Sequence, residues 1–299
     1  MMNVIITGST GFVGRHLVTK LIFEKCQILE LTRSIDVSTQ LYGDNTKKFL
    51  IDDDQKALVK TIEEFKPDII IHLASFLTSS DDYNSLNKLL DSNISFFCRL
   101  LDAIKNVDLK LFVNTGTFAE YFKGDNDFDP AYLYAATKTA SRSFLDYYSK
   151  VYNFKQTTVV PYTIYGGNDT QKKIIDIIYD SIKSKTPIDL SPGEQVLDFI
   201  HVDDVINFYI LLIKNLNKLP QKTNFQLGTG VGHTLKQVAQ IVENMSSYKT
   251  NLNWGGKEYR PSDVMYAVAD IVPLNELLGY KIRHSLEKGI NDYVKIKGV

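Results

Sequence analysis

An apolar run, Asn3-Val4-Ile5-Ile6-Thr7, passes directly into Gly8-Ser9-Thr10-Gly11-Phe12-Val13-Gly14 and on into an amphipathic segment, Phe12 to Glu24. No other feature constrains the fold as strongly. Glycines at a strand-to-helix turn permit a tight bend, let backbone N–H groups approach an anion, and allow the helix to pack closely on its strand. The positive end of the helix then favours phosphate. Three glycines alone are common in turns, but their place straight after the first strand predicts a pyrophosphate site formed by Gly8, Thr10, Gly11, Phe12, Val13 and Gly14.

The alternation continues along the chain. Gln27 to Thr32 reads as a strand, Gln55 to Phe65 as a helix, and Asp68 to Leu73 as a strand. A long helix near Ser85 to Lys105, a strand Lys110 to Asn114, a helix near Tyr132 to Tyr152 and a strand Gln156 to Val160 follow. Strand, helix, strand repeated in this way implies parallel strands joined by crossover helices. The expected class is α/β, a doubly wound parallel-sheet Rossmann domain with a smaller C-terminal substrate lobe. Beyond Pro161, glycines and prolines punctuate shorter elements, and Phe199 to Asn215 and Thr223 to Leu227 are expected to return to the main sheet. The division is therefore interleaved: 1–165 plus about 198–230 for the dinucleotide, about 166–197 plus 231–299 for the substrate.

Composition narrows the function. The chain has 299 residues, with 34 Lys plus Arg against 35 Asp plus Glu, a net charge of -1. Neutralising a nucleic acid needs a surplus of basic residues on one surface, so no nucleic-acid partner is expected. No apolar run approaches the roughly 18 residues of a membrane span, and no basic segment precedes the first apolar residues as in a signal peptide. Two cysteines, Cys26 and Cys98, make no disulfide framework. A cytoplasmic protein without membrane insertion is expected.

At the end of the second strand, where a carboxylate would take the ribose hydroxyls of NAD, the chain reads Leu31-Thr32-Arg33-Ser34. Arg33 can instead pair with a 2′-phosphate, so the expected cofactor is NADPH. Tyr134 and Lys138 stand four apart in a helical pattern, on one face. An ammonium beside a phenol is expected to lower the phenol's pKa and make a general acid or base. Upstream, the fifth strand runs into Asn114-Thr115-Gly116-Thr117, at the sheet edge where ligands of doubly wound folds bind. The Thr117 hydroxyl can orient a reacting oxygen there.

These residues, in this order, resemble the extended short-chain dehydrogenase/reductases that act on nucleotide sugars. The resemblance covers almost the whole chain: the glycine turn, Asp68 to Ser75, Asn93, Pro161 to Gly166, Asp198 to Val205, and Arg260-Pro261-Ser262-Asp263. It implies that Thr117, Tyr134 and Lys138 are catalytic and that hydride passes between nicotinamide and sugar C4. It also implies that Asp53, Leu73, Ala74, Ser75, Asn93, Tyr134, Lys138 and Pro161 contact the cofactor. Thr117, Phe118, Tyr134 and Arg260 would contact the substrate, Arg260 at the diphosphate. A homodimer through the two long helices is implied as well.

Departures from the family pattern discriminate within it. Phe118 and Ala119 occupy the places where 4,6-dehydratases carry Asp and Glu, which disfavours dehydration, while Leu197 and Val160 replace arginines common in the family. Similarity is greatest to the 4-ketoreductases of bacterial O-antigen (lipopolysaccharide) precursors, with a CDP-linked 4-keto-dideoxyhexose as the expected substrate. A 4-epimerase holding NAD, and a non-catalytic NADP(H) sensor, are the alternatives. His72 reads as a core or ribose-side residue, and Asp203 and Asp204 as first-turn capping acids beside His201. His16, His233 and His284 show no ligand spacing, and no metal is expected.

Overall fold

The computed structural model describes residues 2–124, 127–167 and 172–298. Its first half runs β1 (Asn3–Thr7), α1 (Phe12–Phe23), β2 (Gln27–Thr32), α2 (Ile35–Tyr42), β3 (Lys47–Leu50), α3 (Gln55–Phe65), β4 (Ile69–His72), α4 (Tyr83–Leu89), α5 (Phe96–Ala103), β5 (Leu111–Thr115), α6 (Leu133–Tyr152) and β6 (Lys155–Pro161). There follow β7 (Thr163–Tyr165), α7 (Ile174–Ser181), β8 (Ile188–Leu190), β9 (Val196–His201), α8 (Val202–Lys214) and β10 (Lys222–Leu227). The chain closes with β11 (Gly232–Thr234), α9 (Leu235–Ser246), β12 (Leu252–Trp254), β13 (Tyr266–Ala267), α10 (Val272–Leu278) and α11 (Leu286–Lys297).

Seven parallel strands in the order β10-β6-β5-β4-β1-β2-β3 form the main sheet. Period-two side-chain alternation explains why its strands are apolar throughout. Val4 and Ile6 point into one core with α1 and α8, while Ile5, Ile70 and Phe112 point into the other with α3, α5 and α6. The strand order reverses between β1 and β4, which places the ligand crevice at the carboxyl ends of those two strands. Among the described residues, no helix is long and apolar enough to cross a membrane.

Three expectations change. The long helix expected from Ser85 to Lys105 is α4 and α5 joined by a π-helical segment, Leu90–Ser95, which turns Asn93 inward. Phe199 to His201 do not return to the main sheet: β9 pairs instead with β7, β11 and β13 in a small four-stranded sheet. Only β10 rejoins the main sheet, as its edge, and α8 packs against α1. The elements α2 and β3 went unforeseen because both are short and half exposed, with no clean apolar period to announce them.

Candidate active site

A cavity of about 1020 Å³ opens at the switch point, lined by Gly8 to Gly11, Leu31 to Ser34, Ile51 to Asp53, Leu73 to Phe76, and residues of the α4–α5 segment. Gly8 adopts φ +72°, and a Cβ there would lie 2.6 Å from the Ala74 nitrogen. A Cβ on Gly14 would lie 2.1 Å from the Gly8 carbonyl oxygen, so this glycine brings α1 against the turn. Gly11 caps α1 without a side-chain acceptor, and the buried Ser9 hydroxyl has no partner. The turn thus presents donors to the cavity, as an anion cradle requires. Phe12 lines a separate small cavity with Gly166, Gly167 and Lys173, whose ammonium sits 4.0 Å from the Phe12 ring. It does not line the large cavity, and neither do Val13 and Gly14, which follow it in the first turn of α1.

At the tip of β2, Arg33 is exposed and lines the cavity, with Ser34 capping α2 beside it. No carboxylate stands at that tip. Asp52 and Asp53 reach the same cavity from the end of β3, and Arg99 holds them: its guanidinium is 3.6 Å from the Asp53 carboxylate and donates to the Asp52 carbonyl at 2.6 Å. The wall therefore mixes Arg33, Lys88 and Arg99 with Asp52, Asp53 and Asp91.

Beyond Ser75 stand the three residues that the sequence singles out for chemistry. Tyr134 and Lys138 are buried one turn apart on α6, and Thr117 is buried just after β5. The Ser75 hydroxyl faces the Tyr134 phenol and favours its ionised form. Thr117 caps a short 3₁₀ turn, Phe118–Glu120: its hydroxyl oxygen accepts from the Ala119 N–H at 3.3 Å, leaving its own proton to donate elsewhere.

One electrostatic expectation is reversed. Burial pushes the Tyr134 phenol up to about 12, with the Ser75 hydroxyl opposing. Lys138 is not among the groups that shift the phenol, and burial lowers its own ammonium to about 8. At neutral pH Tyr134 keeps its proton.

Other expected ligand residues take supporting places. Asn93 does not line the cavity; its amide braces the segment after β4, accepting from the Phe76 N–H at 2.8 Å and donating to the Phe76 carbonyl and the Thr137 hydroxyl. Pro161 ends β6 and likewise stands off the cavity wall. Phe118 stacks on Tyr162, ring centroids 5.6 Å apart. Arg260 donates to the Ser79 hydroxyl at 3.3 Å, tying the C-terminal half to the segment that follows β4. Asp198 accepts from Thr229, Gly230 and Ala269, so it clamps the small sheet.

Two groups escaped the sequence reading. Glu120, fully buried, pairs with Arg142 behind Thr117; the Thr-x-x-Glu spacing of a capping box was the available signal. His201 and His284, far apart in sequence, stack at 4.4 Å beside Asp203. Both Nδ1 atoms already serve the fold, His201 accepting from the Asp203 N–H at 3.2 Å and His284 meeting the Asp204 carboxylate at 3.1 Å. Asp204 is more than a first-turn acid: it also accepts from the Arg283 and His284 N–H groups.

Comparison with known proteins places this geometry among relatives. The family described as NAD dependent epimerase/dehydratase matches residues 4–228. The chain is 28% identical over 264 residues to CDP-abequose synthase of Yersinia pseudotuberculosis, covering 88% of this chain and 91% of that protein. It is 23% identical over 315 residues to UDP-glucose 4-epimerase of Lactobacillus helveticus, covering 95% and 93%. The structure of UDP-glucuronic acid 4-epimerase from Bacillus cereus, in complex with UDP-glucuronic acid and NAD, matches with a TM-score of 0.85 at 19% identity, over 99% of this chain and 100% of that one. At that identity the likeness speaks to the fold.

Proposed function

The chain belongs to the NAD dependent epimerase/dehydratase family, and from that premise we propose that it is an NADPH-dependent 4-ketoreductase of a nucleotide-linked deoxysugar. The substrate we infer is CDP-4-dehydro-3,6-dideoxy-D-glucose, reduced to CDP-abequose for O-antigen assembly. What supports the reading is the buried Tyr134 one turn before Lys138 on α6, with Thr117 buried just after β5, and Arg33 exposed at the β2 tip where a carboxylate would select NAD. Reduction of a ketone needs a proton donor at the oxygen, a role that a tyrosine phenol fills. A relative named CDP-abequose synthase, matched over 88% of this chain, supports the choice of sugar.

Reduced nicotinamide, when bound, supplies hydride to sugar C4. Tyr134 gives its proton to the C4 oxygen, and Thr117 donates a hydrogen bond to the same atom. Lys138 would hold the nicotinamide ribose and stabilise the phenolate that Tyr134 becomes when it gives up its proton. Gly8 to Gly11 receive the pyrophosphate, Arg33 the 2′-phosphate, and Arg260 the diphosphate of the substrate. The main sheet with α1 to α6 and α8 would hold the cofactor, and the small sheet of β7, β9, β11 and β13 with α7, α9 and α11 the nucleotide sugar.

A homodimer is part of this reading. Phe144, Tyr147 and Val151 lie 41%, 60% and 51% exposed on one face of α6, an apolar stripe at helical spacing that a second copy would cover. The deciding experiment follows NADPH and NADH oxidation by the purified protein with CDP-4-dehydro-3,6-dideoxy-D-glucose and with a dTDP-linked 4-keto-6-deoxyhexose. Fast NADPH-dependent turnover of the CDP sugar is expected. Protein purified with stoichiometric NAD, interconverting C4 epimers without net oxidation, would replace this reading with the epimerase.

A further inference from the structure

Glu120 is fully buried, yet it is not part of the apolar core. Its two oxygens are saturated. One accepts from the Thr117 N–H at 2.7 Å and from the Arg142 guanidinium at 3.0 Å; the other accepts from Arg142 Nε at 2.7 Å and the Thr139 hydroxyl at 3.4 Å. Arg142 lies one turn beyond Lys138, so Tyr134, Lys138 and Arg142 share one face of α6. It also donates to Asn224 on β10 at 3.2 Å and lies against the Phe128 ring at 5.1 Å.

A capping box alone would use one carboxylate oxygen and would sit comfortably at the surface. A buried ion pair is also a poor stability device, since apolar replacements are often neutral or stabilising. The strand end is nevertheless built around this pair: a Cβ on Gly116 would lie 2.5 Å from Glu120 Oε1 and 2.8 Å from the Arg142 guanidinium. We propose that Glu120 is a positioning residue for the reduction, one that with Arg142 fixes the Thr117 turn and keeps the field behind Tyr134 and Lys138 neutral. The inference rests on the ketoreductase reading for its role in turnover, but not for its electrostatics.

The charges that face the pair can be named from each side. Lys138 and Arg142 come from α6 and Tyr132 from its N-cap, Glu120 from the turn after β5, the neutral Ser75 hydroxyl from the segment after β4, and His72 from the end of β4. His72 is held neutral by burial and by Lys138. Glu120 favours the protonated forms of both Tyr134 and Lys138, and Arg142 opposes it at Lys138. Removing the carboxylate leaves Arg142 uncompensated beside the lysine ammonium.

The test titrates Lys138 in the ligand-free protein, using ε-¹³C-lysine labelling and assigning its resonance by its absence in Lys138→Met. A midpoint near 8 separates it from surface lysines. Glu120→Gln is expected to lower that midpoint by about one pH unit. The neutral double variant Glu120→Gln/Arg142→Met is expected to return it close to the starting value. Arg142→Met alone is the second variant, expected to raise it, because Thr117 and Thr139 still hold the Glu120 charge. An unmoved midpoint in Glu120→Gln, or none of the expected recovery in the double variant, would overturn the proposal. In turnover of the CDP sugar, the alkaline limb of the kcat profile should move with the midpoint while the KM for NADPH stays constant. No turnover by the unaltered protein, with the titration behaving as expected, would reject the substrate and spare the electrostatic role.

Discussion

Lys138 follows Tyr134 by one turn of α6, and burial displaces the two from their ordinary ionisation in opposite directions: the phenol up to about 12, the ammonium down to about 8. The acid therefore keeps its proton across the physiological range, and the cation beside it is the first of the two to titrate. Reduction is expected to hold a plateau through neutral pH and to fall as Lys138 loses its proton. A profile of kcat/KM against pH, reporting the free enzyme, should bend near 8, and Lys138→Met should remove the bend along with most of the activity.

The same displacement makes Lys138 a cost to stability. Its folded pKa lies below the ordinary 10.5, so between about 8 and 10.5 the unfolded chain binds more protons, and stability rises with pH through that window. Below it the penalty is fully present, on the order of 3 kcal/mol. Lys138→Met should melt at a higher temperature than the unaltered protein at pH 7, with the gap closing above pH 10. A variant of equal or lower stability at pH 7 would show that the ammonium is not held at a desolvation cost.

Tyr134→Phe removes the proposed proton donor, the hydroxyl that faces Ser75, while leaving the ring packed. Loss of one general acid should cut kcat by about 10²–10⁴-fold. NADPH affinity, measured by fluorescence titration, should change little, because the phenol meets the substrate oxygen. Turnover equal to that of the unaltered enzyme would sink the assignment of the acid.

Gly8 is the position where the cofactor turn tolerates least. Alanine there must take φ +72° and press its Cβ against the Ala74 backbone, 2.6 Å away, with no flexible side chain to give way. Strain of that kind costs about 1–3 kcal/mol. Gly8→Ala should lower the melting temperature and abolish NADPH binding together, read by thermal shift with and without the dinucleotide.

Much of this arrangement was legible in the sequence, for reasons that differ by residue. The glycine turn, β1, β2 and α3 announce themselves through local pattern, and the spacing of Tyr134 and Lys138 fixes their common helix face. Long-range pairings do not show. Nothing near Asp198 says that it will clamp Thr229, Gly230 and Ala269, so β9 was expected in the wrong sheet. The π-helical break at Leu90–Ser95 leaves no composition signal, although it is what lets Asn93 brace the backbone at Phe76. The direction of the Tyr134 shift depended on how deeply both groups are buried, which spacing alone does not give.

Arg33 carries the last prediction, because the wall it stands in is not simply basic. Asp52 and Asp53 share the cavity, and Arg99 lies against Asp53 at 3.6 Å. With Arg99 engaged there, Arg33 is the cation available at the β2 tip, where a 2′-phosphate would arrive. Arg33→Ala should raise the KM for NADPH by about 10–100-fold, the scale of one charge-assisted fork, and leave that for NADH nearly unchanged. Equal losses for both cofactors would mean that Arg33 contacts a part they share. An unchanged preference for NADPH would move phosphate recognition to Arg99, whose contact with Asp53 would then have to open on binding.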